Sequence, residues 1–170
     1  MDIAWAIERL AAQEPIIAAL LAGFSQEQAR RRPAPDSWSA LEMACHLLDE
    51  EREDFRQRLD LALHQPDTPW PPIDPNGWVT ARAYNQRDLA ETVAAWRAER
   101  QRSLAWLRGL TAPDLAVARR HPAGFEIRAG DLLAAWVAHD LLHIRQLVEL
   151  SYARTQDEAQ PFSVEYAGEW

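Results

Sequence analysis

The sequence predicts an all-α protein, a four-helix bundle with a long connection between the second and third main helices. Apolar residues recur three and four positions apart in four long segments, which is typical of amphipathic helices. Five prolines between residues 66 and 75 separate the second of these segments from the third. A chain of 170 residues fits one ordinary domain. Four such helices bury their apolar stripes by packing against one another.

The first main helix is predicted over residues 3–24, where the apolar side chains form one stripe. Pro15 lies inside this stripe and predicts a kink or a break, because proline removes a helical hydrogen bond. Ser25, with Gln28 three residues later, is typical of a capping box and predicts a short helical piece.

The second main helix is predicted from about residue 39 to about residue 64. Its start is indicated by Ser39 with Glu42 three positions on, a second capping-box pattern. We expect Glu42 to cap this helix rather than to take part in chemistry. The third main helix is predicted to begin near Asp88 and to end at Gly109, with a shorter helical turn over residues 78–84 before it.

The last main helix is predicted to begin with Asp131 as its cap and to end near Arg154, after a short extended stretch at residues 125–128. The bundle therefore spans residues 1–154. Residues 155–170 form a polar tail that carries the aromatic side chains Phe162, Tyr166 and Trp170. These aromatics predict that the tail packs on the bundle or on the partner subunit of a dimer.

Charge and composition exclude several classes of protein. The chain has 18 basic and 26 acidic residues, a net charge of −8, which argues against nucleic acid as its partner. It contains no lysine, so a lysine Schiff base is excluded. The single cysteine, Cys45, excludes internal disulfides and cysteine-rich zinc sites. Since there is neither a basic signal-peptide start nor an apolar run of about 18 residues, we expect a cytoplasmic protein without membrane partners.

Two histidines lie four positions apart in the last helix. His139 and His143 therefore share one face and stack one turn apart, so both imidazoles can bind a single divalent metal ion. Hydrogen-bonded core histidines, or a network with carboxylates, are the alternatives. Asp140 is expected to point about 100° away from His139. Gln146 is expected to lie off the face of His143.

His46 is the third candidate ligand, two turns into the second helix. It approaches the other two histidines if the second and fourth main helices are neighbours. Three histidines would leave a coordination position open, which is typical of catalytic rather than structural metal sites. The alternative is a partly buried histidine paired with Asp49 or Glu50, which lie on its face.

The segments WSALEMACHLLDEE and AAWVAHDLLHIRQL together resemble the DinB-like family, which includes the YfiT-type proteins, and the resemblance covers essentially the whole chain. It implies a four-helix bundle in which His46, His139 and His143 bind one divalent metal ion. Zinc and nickel are the expected metals, with iron and copper as alternatives. The resemblance also implies a homodimer.

The family resemblance implies a thiol-dependent transferase, in which a low-molecular-weight thiol reacts with an electrophilic small molecule. A metal-dependent hydrolase is an alternative, and Glu50 is then the candidate general base or the residue that orients a ligand imidazole. A second alternative is a non-catalytic bundle that metal stabilises and that binds a small molecule or a protein. The sequence does not decide between an enzyme and a binding module.

Overall fold

The computed structural model describes residues 2–169. Its α-helices are α1 Ile3–Ala22, α2 Gln26–Arg30, α3 Ala40–Glu50, α4 Arg56–His64, α5 Pro75–Ala81, α6 Leu89–Gly109 and α7 Ala129–Glu158. A π-helical turn, Glu51–Phe55, joins α3 to α4, so that the two form one continuous helical segment. Short 3₁₀ turns lie at Tyr84–Gln86 and Glu165–Ala167. An antiparallel pair of strands, β1 Ala118–Arg120 and β2 Glu126–Arg128, precedes α7.

The four long helical segments are α1, α3 with α4, α6 and α7, and they pack into the predicted all-α four-helix bundle. Helix α1 packs against both α6 and α7, and α3 packs against α6 and α7. The proline-rich connection between α4 and α6 contains α5, and the predicted short helical turn lies within this part of the chain. Within residues 2–169, no helix combines the length and the apolarity needed to cross a bilayer.

Helix α1 continues through Pro15, so the predicted break does not occur. Leu10 and Ile17, on either side of the proline, are both fully buried and belong to the two core clusters of the bundle. Burial on both sides of Pro15 stabilises the helix against a proline cost of about 3 kcal/mol.

Capping boxes fix two of the helix starts, as the sequence predicts. The hydroxyl of Ser25 accepts from the N–H of Gln28 at 3.2 Å, and the Gln28 side chain accepts from the N–H of Ser25 at 2.8 Å. Ser39 and Glu42 make the same two bonds at 3.2 and 2.8 Å. The Asp88 side chain caps α6 by accepting from the N–H three residues later at 2.9 Å. The structure therefore gives Glu42 the predicted capping role.

Helix α7 differs from its predicted bounds at both ends. Its N-cap is Arg128 rather than Asp131, which lies in the first turn and accepts from the N–H of Arg128 at 3.0 Å. The predicted extended stretch, as strand β2, leads directly into the helix, so the cap lies three residues earlier than predicted. The helix continues past Arg154 to Glu158, where these two residues form an i,i+4 ion pair at 3.8 Å. Apolar periodicity alone does not detect such a polar last turn.

The aromatic tail is exposed in the single chain. Phe162 is 77% exposed and Tyr166 is fully exposed. Trp170 lies outside the described residues. Packing of the tail on a partner subunit stays a prediction.

Candidate metal centre

Three histidine side chains from α3 and α7 converge at one point. The Nε2 atom of His139 lies 3.1 Å from the Nε2 of His46 and 3.1 Å from the Nε2 of His143. One ring nitrogen of each histidine lies within 4.8 Å of those of the other two. The packing of α3 against α7 thus brings together the three residues that the sequence singles out. Among residues 2–169, these three histidines are the one group of three or more potential metal ligands that lie this close together.

Hydrogen bonding does not account for this convergence. A nitrogen of a neutral imidazole is either a donor or an acceptor. With only one proton or one ring-plane lone pair, the Nε2 of His139 cannot make a well-aligned hydrogen bond to His46 and to His143 at the same time. Nitrogen ligands about 2.0–2.1 Å from one metal ion lie roughly 3.0–3.4 Å from one another, which fits the observed separations. The donor set is therefore suited to a divalent metal ion.

Burial keeps the three imidazoles neutral. His46 and His143 are 5% exposed and His139 is half-buried. Burial, with the neighbouring histidines as the smaller cause, lowers the pKa of His46 to about 2 and that of His143 to about 3. Burial, followed by the charge of Arg100, lowers the pKa of His139 to about 4. The lone pairs are therefore available to a metal ion well below neutral pH.

Aromatic rings surround the histidines. Trp38 meets His46 edge-on, with ring centroids 4.7 Å apart, and Phe55 lies 5.0 Å from the ring of His139. Phe55 stacks in turn on Trp136 at 5.8 Å. Rings of this kind exclude water from the sides of the site and strengthen electrostatic interactions inside it.

Glu50 lies behind His46, on the side away from the converging nitrogens. Its Oε1 is 3.8 Å from the Nδ1 of His46, and both atoms are buried without a hydrogen bond. Burial, and then the neighbouring Asp54 carboxyl, raises the pKa of Glu50 to about 8. A metal ion on Nε2 requires the proton of His46 to be on Nδ1, where Glu50 is the acceptor within reach.

Asp49 and Cys45 have other partners. Asp49 accepts from the hydroxyl of Tyr84 at 2.5 Å and pairs with Arg82 at 2.8 Å, so it does not form the pair with His46 that one alternative foresees. The Sγ of Cys45 lies 3.7 Å from the carbonyl oxygen of Tyr84, and burial raises the pKa of the thiol to about 11. Cys45 is therefore an inert core residue.

A buried charge network lies behind His139, and the sequence did not predict it. Arg100 donates to Glu51 at 2.9 Å and to Asp140 at 2.6 and 2.9 Å, and these three side chains are each 1% exposed. The indole N–H of Trp136 donates to Glu51 at 3.2 Å. One feature of the sequence could have indicated that Arg100 is buried, namely its position in α6. It lies four residues before the buried Leu104, on the apolar stripe of the helix.

Gln146 follows His143 by three positions in α7. Its side chain raises the pKa of that imidazole, against the larger lowering by burial. Residues three positions apart are neighbours on a helix surface, so this spacing places the amide beside the ring.

A cavity of about 610 Å³ lies next to side chains that neighbour the histidines, although His46, His139 and His143 do not line it themselves. Trp38, which packs edge-on against His46, and Gln146, one helical turn after His143, both line it. Its other lining residues are Pro33, Asp36, Ser37, Met43, Asn76, Glu149, Leu150 and Ala153. The volume is in the range of sites that bind small organic molecules.

The fold and this donor set define a helical-bundle protein with a candidate centre for one divalent metal ion. A sequence model of the DinB superfamily matches residues 9–147, a range that includes all three histidines. The chain belongs to the DinB superfamily. This confirms the resemblance that its two histidine-containing segments indicate.

A solved structure, YfiT from Bacillus subtilis, is similar to the chain with a TM-score of 0.80 and 21% sequence identity. The similarity covers 89% of this chain and 87% of YfiT, which is described as a probable metal-dependent hydrolase with an unusual four-helix bundle topology. The comparison establishes the shared fold. No curated protein matches the chain.

Proposed function

We propose that this protein is a metal-dependent enzyme in which His46, His139 and His143 hold one divalent ion. Zinc or nickel is the expected ion, and iron or copper suits the same donors. The observation that carries the proposal is the convergence of three neutral Nε2 atoms from two helices. An ion bound there would supply Lewis acidity, which lowers the pKa of a thiol or a water molecule.

The reaction we propose is the transfer of a group to a low-molecular-weight thiol. The thiol releases its proton to solvent water, its sulfur forms a bond to an electrophilic carbon, and the leaving group departs with the electrons of its broken bond. The side chains near the site support a nucleophile brought by a co-substrate. Cys45 is held at Tyr84 with a raised pKa, and Glu50 lies behind His46. The cavity lined by Trp38 and Gln146 would hold the electrophile.

Glu50 is better suited to positioning His46 than to acting as a general base. Its pKa of about 8 leaves most of the carboxyl protonated at neutral pH, and its nearer ring atom is Nδ1 rather than Nε2. A protonated carboxyl can still accept a hydrogen bond from the Nδ1–H through its carbonyl oxygen. The role of Glu50 as a base stays a prediction of the hydrolase alternative.

Hydrolysis is the second candidate function, and the description of YfiT favours it. The same three histidines would then hold an ion that activates water. A bundle that binds metal and a small molecule or protein without turnover is the remaining alternative. The predicted homodimer and cytoplasmic location are part of the proposal and rest on the family resemblance and the sequence.

The test compares zinc- and nickel-loaded wild type with His143→Ala and with the control His64→Ala, whose exposed ring pairs with Asp60 at 2.9 Å. Each protein is assayed with a low-molecular-weight thiol plus a chromogenic aryl halide, and separately with chromogenic esters. Thiol-dependent turnover that disappears only in His143→Ala supports the transferase. Ester turnover with the same dependence supports the hydrolase instead. Metal binding without either activity supports the binding module.

A further inference from the structure

Two buried polar atoms without hydrogen bonds lie on neighbouring side chains of α7. They are the Nδ1 of His143 and the Oε1 of Gln146. Buried donors and acceptors that lack partners are costly, by about 1–3 kcal/mol each. Because the two residues are three positions apart in one helix, their side chains are neighbours on its surface.

We propose that Gln146 is a positioning residue that accepts the Nδ1–H of His143 and thereby keeps the Nε2 lone pair directed at the other two histidines. A metal-binding histidine must carry its proton on the nitrogen that faces away from the ion, and an acceptor on that side fixes both tautomer and ring orientation. The inference rests on the proposed function, because binding of an ion is what requires Nε2 to be free of a proton.

His46 has a matching arrangement on the other helix. Its Nδ1 is also buried without a partner, and the Oε1 of Glu50 lies 3.8 Å from it. Glu50 follows His46 by four positions, and Gln146 follows His143 by three, so each acceptor lies one helical turn after its histidine. The repetition of this arrangement on α3 and α7 indicates that both rings are oriented from behind.

Gln146 also connects the metal centre with the cavity. Its side chain is part of the cavity wall, together with Trp38, which packs edge-on against His46. A molecule bound in the cavity therefore contacts the residue that orients His143. This placement distinguishes Gln146 from Glu50, which does not line the cavity.

The experiment measures zinc affinity by competition with a chelator, and the His143 tautomer from its imidazole ¹⁵N chemical shifts, in the metal-free and zinc-bound protein. The variant is Gln146→Leu, which keeps the size of the side chain and removes the amide. Gln156→Leu, at an exposed position of the same helix, is the matched control. Gln146→Glu is the conservative variant that restores an acceptor.

We expect Gln146→Leu to bind zinc about 10- to 100-fold more weakly and to lose part of the Nδ1–H tautomer of His143. Gln146→Glu should recover both properties, and Gln156→Leu should match the wild type. A structural role alone would lower stability without shifting the tautomer. The inference is overturned if Gln146→Leu keeps the wild-type tautomer and affinity, or if Gln146→Glu folds but does not recover them.

Failure of the proposed function has a different signature. In that case the wild type itself binds neither zinc nor nickel, and both proposals are overturned. If the wild type binds zinc and Gln146→Leu binds it equally well, only the role of Gln146 is overturned. Should Gln146→Leu not fold, Gln146→Met, which has no amide, takes its place with the same expected result.

Discussion

The Nε2 atoms of His46 and His139 lie 3.1 Å apart, although 93 positions separate the two residues in the chain. The site therefore exists only when α3 and α7 are packed in the folded bundle. An unfolded chain offers His139 and His143 as a neighbouring pair but cannot hold His46 beside them. Metal binding must consequently be coupled to folding, and the binding free energy adds to stability.

This coupling predicts that zinc or nickel raises the thermal stability of the protein. With free metal at 100 times the dissociation constant, the gain is about 2.7 kcal/mol, because the ion binds only the folded state. Thermal unfolding followed by circular dichroism, with and without metal, measures the effect. His46→Ala should show little or no shift. An equal rise in melting temperature in this variant would place the binding elsewhere.

The lowered histidine pKa values predict that the metal-free protein loses stability in acid. Below about pH 6.5 the unfolded chain takes up protons on His46, His139 and His143, whereas the folded protein, with pKa values of about 2, 4 and 3, does not. The free energy of unfolding should therefore fall as the pH falls from about 6.5 toward 4. Each histidine contributes up to about 1.4 kcal/mol per pH unit.

Urea unfolding of the metal-free protein at pH 4.5, 5.5 and 6.5 measures this dependence. His143→Ala removes one of the titrating groups and should show a shallower slope over the same range. His64→Ala, which removes an exposed histidine at the end of α4, should keep the wild-type slope. A wild-type free energy that stays constant from pH 6.5 to 4.5 would contradict the neutral, buried state of the three rings.

The raised pKa of Glu50 predicts that its contribution to the free energy of unfolding falls as the pH rises. Its pKa of about 8 in the folded protein exceeds the value of about 4.5 in the unfolded chain, so the folded state holds an extra proton between these values. The stability that this gives is present at low pH and is lost as the pH rises through about 8. Between pH 6.5 and 8 the deprotonation of Glu50 alone should lower the free energy of unfolding of the metal-free protein by up to about 2 kcal/mol, partly offset by the three histidines, whose protons leave the unfolded chain over the same range.

Glu50→Gln tests directly whether Glu50 causes this loss of stability, because an amide of the same shape does not titrate. In denaturant unfolding the variant should lack this loss, so that its free energy of unfolding rises relative to the wild type by up to about 2 kcal/mol between pH 6.5 and 8. Glu165→Gln, an exposed position near the end of the chain, should keep the wild-type decline. If Glu50→Gln and the wild type decline in parallel, the carboxyl is already ionised in the folded protein.

The buried network behind His139 predicts a large loss of stability in Asp140→Ala. Removing the carboxylate leaves the Arg100 guanidinium with one of its two buried acidic partners, and breaking such a pair costs about 3–5 kcal/mol. The exposed pair of Arg145 with Glu149, at 3.4 Å on the same helix, provides the control. Glu149→Ala should cost no more than about 1 kcal/mol. Similar losses in the two variants would contradict the structural importance of the network.

Much of the fold could be predicted because its signals are local. Ser39 and Glu42 are three positions apart, and their mutual hydrogen bonds depend only on the start of one helix. Features that depend on packing were missed or wrong. The first helix passes through Pro15 because buried residues on both sides hold it, and periodicity within the helix carries no information about those contacts.

In the candidate site, too, the residues related by local spacing could be predicted, and those brought together by packing could not. His139 and His143 are related by helical spacing, His46 was a candidate from its place in the second helix, and the family resemblance joined it to the other two. The ion pairs of Arg100 with Glu51 and Asp140 join three separate helical segments, so no spacing in the sequence predicts them. Local spacing did place Glu50 behind its histidine, but only the packed structure shows that both atoms lack other partners.

The most direct test of the account is the number of divalent metal ions bound per chain, measured by elemental analysis of tag-free protein. The wild type, His46→Ala, His143→Ala and the control His64→Ala are compared after incubation with zinc or nickel. We expect one ion per chain in the wild type and the control, and none in either of the other variants. A wild type without metal, or an ion that both His46→Ala and His143→Ala retain, would contradict a single site built from α3 and α7.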